Sequence, residues 1–364
     1  MLRHIRTTLL TIILTAIGSL PSVAVQEYDE QINLKALYQQ IDQASEQYPH
    51  FVAEREKQID NFRELLLSES NMEKKMPIAE QLFALYKSYK NDSAIHYAGV
   101  CINIAEALHR PDLAGRYRAL EARQCSGVGM YVESLDLLKK VDKSSLDRQG
   151  LTNYYEAWMH VCGEIGSHSQ LPNGHQIYYG MQDAYRDSVL KVAKEDSEEY
   201  LHLKMDVLNA RQQYQEALRV SNRWFNKVAE GTHEHAFAAF YRSVVYDKLA
   251  NHDQVRYWLG RSALDDIKCA VQDQAALVML AEHLCEDGDI ERAYRYICFS
   301  RDCNLAFSPI LRNYQVSSVI NVIEKNYQES QDGKRLLTIF AFVVITLLLM
   351  ALLYILFLLR KHNK

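Results

Sequence analysis

From about residue 30 to residue 308, apolar side chains recur at intervals of three and four, the spacing that gathers them on one face of an α-helix. Polar breaks interrupt the pattern roughly every 15–20 residues, so each pair of stretches predicts a helical hairpin. Hairpins are expected over 30–48 with 50–68, 77–90 with 92–109, 112–126 with 131–141, and 151–166 with 175–193. Three more are expected over 197–210 with 214–229, 234–250 with 253–268, and 272–286 with 290–302, and a last helix near 309–328. The breaks hold Pro49, Pro111, Pro172, Asn173, Gly174, Gly231, Gly288 and Pro309, residues that stop helices by removing a donor or by accepting positive φ.

The two ends follow other patterns. Arg3, His4 and Arg6 precede an apolar run from Leu9 to Leu20, and Ser22 and Ala24 follow at the spacing of a cleavage site. This is the order of a secretory signal peptide over 1–24. The first cysteine is Cys101, so a lipid-anchored N-terminus is not expected. Leu336 to Leu359 is a run of 24 residues with no charge, Gly or Pro, long enough as a helix to cross about 30 Å of hydrocarbon. Arg360, Lys361 and Lys364 follow it, which with an export signal predicts a periplasmic body and a cytoplasmic tail in the inner membrane. The expected organisation is a signal peptide (1–24), an N-terminal helical hairpin (25–75), a helical solenoid (76–308), a juxtamembrane capping helix (309–335), a transmembrane helix (336–359) and a short basic tail (360–364).

Composition sharpens this picture. Fourteen Gly and six Pro in 364 residues are too few for a loop-rich or all-β chain. Residues 1–24 and 334–364 hold 2 and 5 Lys or Arg and no acid, so of a net charge of −5 the body between them carries −12. A body that acidic is unsuited to nucleic acid. Seven cysteines (101, 125, 162, 269, 285, 298 and 303) scattered over a large domain do not make a disulfide scaffold, and buried free thiols are expected.

The second helices begin near Asp92, Tyr131, Tyr214, Asp253 and Ile290, roughly 40 residues apart once the helices around Leu151 and Tyr178 fill the one double gap. A helix-turn-helix unit at a fixed period is the signature of a solenoid. Leu277, Leu280, Ala281, Leu284, Gly288, Ile290, Ala293, Tyr294, Ile297 and Ser300 resemble a tetratricopeptide repeat, with Ala281 and Ala293 where its two helices cross. Leu201, Leu208, Tyr214, Ala217 and Leu218 match in part, as do Ala122, Gly129, Tyr131, Leu135 and Leu138. The usual Trp and terminal Pro are missing. The expected fold is therefore all-α, a divergent tetratricopeptide-like helical-hairpin solenoid with one C-terminal transmembrane helix.

A broader resemblance covers the chain. "YKSYKNDSAIHY" (86–97), "YRDSVL" (185–190), "DDIKCAVQDQAAL" (265–277), "GDIERAYRYICFS" (288–300) and "LRNYQVSSVI" (311–320) are similar to a Bacteroidota family of membrane-anchored regulators. Its members have a signal peptide, an exported tetratricopeptide-like domain, one membrane helix, a cytosolic coiled coil and a helix-turn-helix-like end. The resemblance implies signalling from periplasm to transcription, while this sequence reaches Lys364 where the cytosolic output would begin.

Catalytic patterns are weak, and no enzyme activity, cofactor or metal is expected. His233, Glu234 and His235 lack the four-residue offset of a metal-binding helix and read as a solvated helix start. Asp287, Asp289 and Glu291 fit a capped turn better than a calcium loop. His160 with Cys162, and His283 with Cys285, point different ways on a helix, and Gly127 with Gly129 lacks the strand of a nucleotide loop. What remains is recognition. In the tetratricopeptide register the first helices line a concave groove, which places Glu80, Lys87, Arg116, Arg123, His202, Asp206, Asn209, Tyr241 and Glu282 along it. Its mixed polarity suits an envelope protein, a peptide or a glycan, with homodimerisation left open. Two functions compete: a periplasmic sensor that passes a change to the membrane span, and a static scaffold for envelope proteins.

Overall fold

The computed structural model describes residues 32–307 and 311–362; the expected signal peptide, the break at Pro309 and the last two residues lie outside the described residues. Among the described residues there are fourteen α-helices and no strand. They are α1 (Leu34–Ser68), α2 (Met72–Tyr86), α3 (Asn91–Ala107), α4 (Pro111–Gly127), α5 (Tyr131–Lys139), α6 (Arg148–His168) and α7 (Gly174–Val192). There follow α8 (Glu198–Ala210), α9 (Tyr214–Phe225), α10 (His233–Lys248), α11 (His252–Lys268), α12 (Ala275–Glu286), α13 (Ile290–Phe307) and α14 (Leu311–His362). The pairs α2–α3 to α12–α13 are six hairpins stacked in chain order, so the expected all-α solenoid is the observed architecture.

Local chemistry explains the elements. Asn71, Asp147, Ser197, Thr232 and Asn251 cap α2, α6, α8, α10 and α11 by accepting free backbone N–H groups of the first turn. Most turns repeat one device, in which a residue at positive φ reverses the chain while its neighbours bond back to the last helical carbonyls. Arg110 N donates to Ala105 O and His109 N to Glu106 O, and the same pair of bonds recurs at Gly129–Met130, Gln212–Gln213, Ala250–Asn251, Ala270–Val271 and Gly288–Asp289. Glycine fills this position only at 129 and 288, which is why so glycine-poor a chain still turns so often. Five of the six hairpins close on small residues: Ala98, Ala119, Ala122, Ala217, Ala238, Ala281 and Ala293 are fully buried where helices approach.

Two boundaries differ from the expectation. Instead of a hairpin over 25–75, residues Leu34–Ser68 form one 35-residue helix with Pro49 inside it. An internal proline costs about 3 kcal/mol, and packing on both sides of it offsets that cost. Leu37, Tyr38, Ile41 and Ala44 are buried before the proline and Ile59 after it. Likewise the capping helix and the membrane span are not separate, because α14 runs unbroken for 52 residues.

The long α1 closes the solenoid. Its first half packs on α11, where Leu37 and Ile41 fill the space beside Gly260, and a Cβ there would lie 2.7 Å from Leu37 Cδ2. Asp42 pairs with Arg295 of α13 at 3.3 Å, and the Tyr296 hydroxyl donates to Tyr38 O at 3.2 Å. Its second half packs through Val52, Ile59, Phe62 and Leu66 on the first hairpin. Between them Arg55 donates to Leu85 O at 3.1 Å and to Cys269 O at 2.6 Å, and Gln272 N donates to Ser88 O at 3.0 Å. The turn of the first hairpin is thereby joined to the α11–α12 link, between the fifth and sixth hairpins. Arg55→Ala removes a charged donor that bridges them and leaves two half-buried carbonyls unpaired, so a loss of about 2–3 kcal/mol is expected. Faster hydrogen exchange at Gln272 and across 269–273 is the accompanying signature.

All seven cysteines are free thiols, Cys101, Cys125, Cys162 and Cys303 buried and the other three half-buried.

Candidate ligand-binding cavity

Closure turns the concave side of the stack into a central cavity of about 800 Å³. The first helix of every hairpin contributes: Glu80, Ala84 and Lys87 from α2, Arg116, Leu120 and Arg123 from α4, and Gln149, Asn153 and Glu156 from α6. Glu198, Glu199 and His202 come from α8, His233, Glu234, Phe237 and Phe240 from α10, and Ala275 and Ala276 from α12. Ser262 and Asp266 of α11 and Phe307 complete the wall.

Five of the nine expected groove residues, Glu80, Lys87, Arg116, Arg123 and His202, meet here, and four do not. On α6, α8, α10 and α12 the lining residues lie in the N-terminal half of each helix, and Tyr241 directly follows the lining residue Phe240 but stands on another face of α10. Asp206 and Asn209 lie one and two turns beyond His202, off the cavity lining. Burial, opposed by the charge of Arg186, pushes the Asp206 carboxyl up to about 6, and both amide atoms of Asn209 are buried without a partner. Tyr241 packs into a ring cluster with His202, Trp224 and Phe237, with centroids 5.2, 5.9 and 4.9 Å away. Glu282 lines a separate groove between α12 and α14, with Cys285, Val319, Ile323 and Asn326.

The electrostatics of the cavity are unbalanced. Arg123 and Glu156 approach to 3.9 Å, too long for a hydrogen bond. Glu156 is only 5% exposed, and burial, with Glu199 and Glu198 adding to it against Arg123, pushes its carboxyl up to about 7. Burial likewise raises Glu198, with Lys87 opposing and Glu199 reinforcing. The Tyr117 hydroxyl donates to Glu80 at 2.8 Å. Lys87 and Arg116 have no ion-pair partner among the described residues. His202 is a core histidine: its Nδ1–H donates to Glu198 O at 3.0 Å, and burial holds its ring down at about 4, so it stays neutral.

The His233–His235 segment is not the solvated helix start the sequence indicates. His233 Nδ1 lies 2.7 Å from Asp266 Oδ1, and His235 Nδ1 lies 2.6 Å from the buried Asp265 Oδ2. Burial works to lower His233, but the bond to Asp266 outweighs it and the ring is raised. Sequence gave no sign of these pairs, which join positions about 30 apart on two hairpin arms. Asn153 and Glu156 did carry a signal, since continuing the inner-helix register through the 151–166 helix reaches them.

The comparisons agree with this architecture. No curated protein matches the chain. A family model described as the SusR N-terminal TPR domain matches residues 46–318, about three quarters of the chain and all six hairpins. The match runs from the middle of α1 into the first turns of α14, and so covers the cavity but stops short of Asn326, Tyr327 and Lys334. The chain belongs to the family of the SusR N-terminal TPR domain, the tetratricopeptide-like part of a Bacteroidota regulator.

Proposed function

We propose that this protein is a membrane-anchored periplasmic sensor, in which the solenoid binds a peptide, protein or glycan ligand and α14 carries the response into the inner membrane. The observation that carries the reading is the continuity of α14. One helix packs on α12 and α13 of the solenoid and extends without a break through the apolar stretch of its second half, none of which is buried. Its contact with the body is specific: Tyr327 stacks on Tyr294 with centroids 4.0 Å apart, Lys334 pairs with Glu291, and Asn326 Nδ2 lies 3.2 Å from Cys285 Sγ. A ligand that shifts α12 or α13 relative to the inner helices therefore has a rigid element to move, provided it binds two states of the body unequally. The absence of an enzyme-like constellation in the sequence, and a family built as a helical repeat scaffold, support recognition over catalysis.

The second reading, a static scaffold, draws on the α1 clasp, which ties the first hairpin to the α11–α12 link and resists opening. Asn326→Cys, oxidised against the native Cys285, separates the two in the full chain held in nanodiscs. The sensor reading expects hydrogen exchange to change in the cavity segments 148–168 and 198–210 when the lock forms, because coupling is reciprocal. A change confined to α12–α14 supports the scaffold.

A further inference from the structure

We propose that the central cavity takes a small zwitterion, an amino acid or short peptide with free ends, its carboxylate toward the α2–α4 wall and its ammonium toward the α6–α10 wall. This inference rests on reading the cavity as the ligand site and adds the chemical class of the ligand.

The lysine and arginine side chains on the wall stand together: Lys87 caps the C-terminus of α2, and Arg116 and Arg123 lie on α4, beside Glu80, which accepts from the Tyr117 hydroxyl. Glu156, Glu198, Glu199 and Glu234 come from α6, α8 and α10, with Asp273 and the His233-paired Asp266 beyond them. Within the protein these groups are left incompletely paired. Arg123 and Glu156 meet only at 3.9 Å, Glu199 accepts one bond from Gln149 at 3.2 Å, and Lys87, Arg116, Glu198 and Glu234 have no ion pair among the described residues. Glu156 is buried and Arg116 and Glu199 are half-buried, while Lys87, Arg123, Glu198 and Glu234 keep contact with solvent. Charges removed from water and left incompletely paired are costly, and proteins retain them where a ligand completes them.

Asn153 gives the second, independent pointer. It lies on α6 in the cavity wall, is nine-tenths buried, and its Oδ1 has no hydrogen-bond partner. A buried carbonyl oxygen without a donor asks for one, and an ammonium or peptide N–H supplies it. Arg116 Nε, on the neighbouring helix α4, is an unpaired donor that asks for an acceptor. The two vacancies thus have opposite character on adjacent inner helices. A neutral molecule leaves both kinds of charge unpaired, and a simple anion brings negative charge to a wall with seven acidic side chains. A carboxylate and an ammonium on one small frame satisfy both. The apolar surface between them, Phe83, Leu120, Phe237 and Phe240, would take side chains, and about 800 Å³ is within the range of small-molecule sites. Burial already pushes Glu156 toward its protonated form, which an arriving ammonium reverses.

The test uses the full chain in nanodiscs and isothermal titration with three dipeptide libraries: free ends, N-acetylated and C-amidated. Free-ended members are expected to bind, and capping either end is expected to weaken binding about ten- to a hundred-fold, the worth of a charged hydrogen bond. In Arg116→Gln the penalty for amidation should largely vanish, and in Glu198→Gln the penalty for acetylation should vanish, with thermal midpoints near the parent showing that both variants fold. Equal binding of capped and free libraries overturns the proposal. So does silence of all three while a panel of neutral oligosaccharides binds and competes at the cavity, an outcome that keeps the cavity as the ligand site. If neither class binds, and the Asn326→Cys lock leaves exchange in α6 and α8 unchanged, the sensor reading falls as well.

Discussion

Trp224→Ala is expected to destabilise the solenoid by about 3–5 kcal/mol, among the largest effects of any single truncation in the body. Trp224 is 1% exposed on α9 and is surrounded by Leu201, Met205 and Leu208 of α8 and Ala238 and Val245 of α10. Its ring also braces the cavity, meeting Phe237 edge-on at 5.7 Å and lying 6.3 Å from His202. Truncation leaves a cavity behind the wall that carries Glu198, His202 and Phe237, so loss of stability should come with looser packing at the candidate site. The indole N–H is buried without a partner. Trp224→Phe keeps most of the ring volume and removes that unpaired donor, so it should cost less than about 1.5 kcal/mol. Thermal unfolding followed by circular dichroism, with hydrogen exchange across α8–α10, distinguishes the two. Equal losses in both variants would mean that the bond-forming capacity of the indole, and not its volume, holds these helices.

Glu156→Gln is expected to change the pH dependence of stability strongly. Burial raises the Glu156 carboxyl from its ordinary value of 4.5 to about 7, so between those values the folded chain holds a proton the unfolded chain has lost. Stability therefore falls as pH rises from about 4.5 to 7, by on the order of 2–3 kcal/mol. His202 acts in the opposite sense. Its folded value of about 4 lies below the ordinary 6.5, so stability present above 6.5 is lost as pH falls toward 4. In the parent the two slopes oppose one another across most of this window. Glu156→Gln removes the falling slope, so the variant should be the more stable protein at about pH 8 and should show stability rising from about pH 4 to 6.5. Thermal midpoints of both proteins across that range are the measurement, and parallel profiles would overturn the assignment of the titrating group to Glu156.

Arg123 adds a condition to this result. It is the charge that opposes the burial of Glu156, and it stands on the neighbouring inner helix. In Arg123→Gln the carboxyl loses its nearest cation, so the falling slope should extend to higher pH. The three proteins compared at one ionic strength separate burial from pairing as the cause of the shift.

Much of the architecture was legible in the residues because it rests on local periodicity. Apolar spacing of three and four defined the hairpins, and their recurrence at roughly 40 residues defined the stack. Ala281 and Ala293 marked a helix crossing, and both are fully buried. The 24-residue apolar run marked the span as the second half of α14. Each of these depends on neighbours within a few turns, which one strand of sequence contains in full. What only tertiary structure decided depends on how six hairpins curve. Pro49 reads as a stop, yet α1 continues through it because α11 packs on its first half and the first hairpin on its second. Lys87, Arg116 and Arg123 reach the cavity as the register expects, while Asp206, Asn209 and Glu282 lie farther along their helices than the lining residues do, and Tyr241 turns to another face of α10 than Phe240 beside it. Glu156 meeting Arg123, and His233 meeting Asp266, join positions about 33 residues apart. Period and side-chain type set which residues lie on the inner helices; the superhelical closure set by α1 sets which of them share one space.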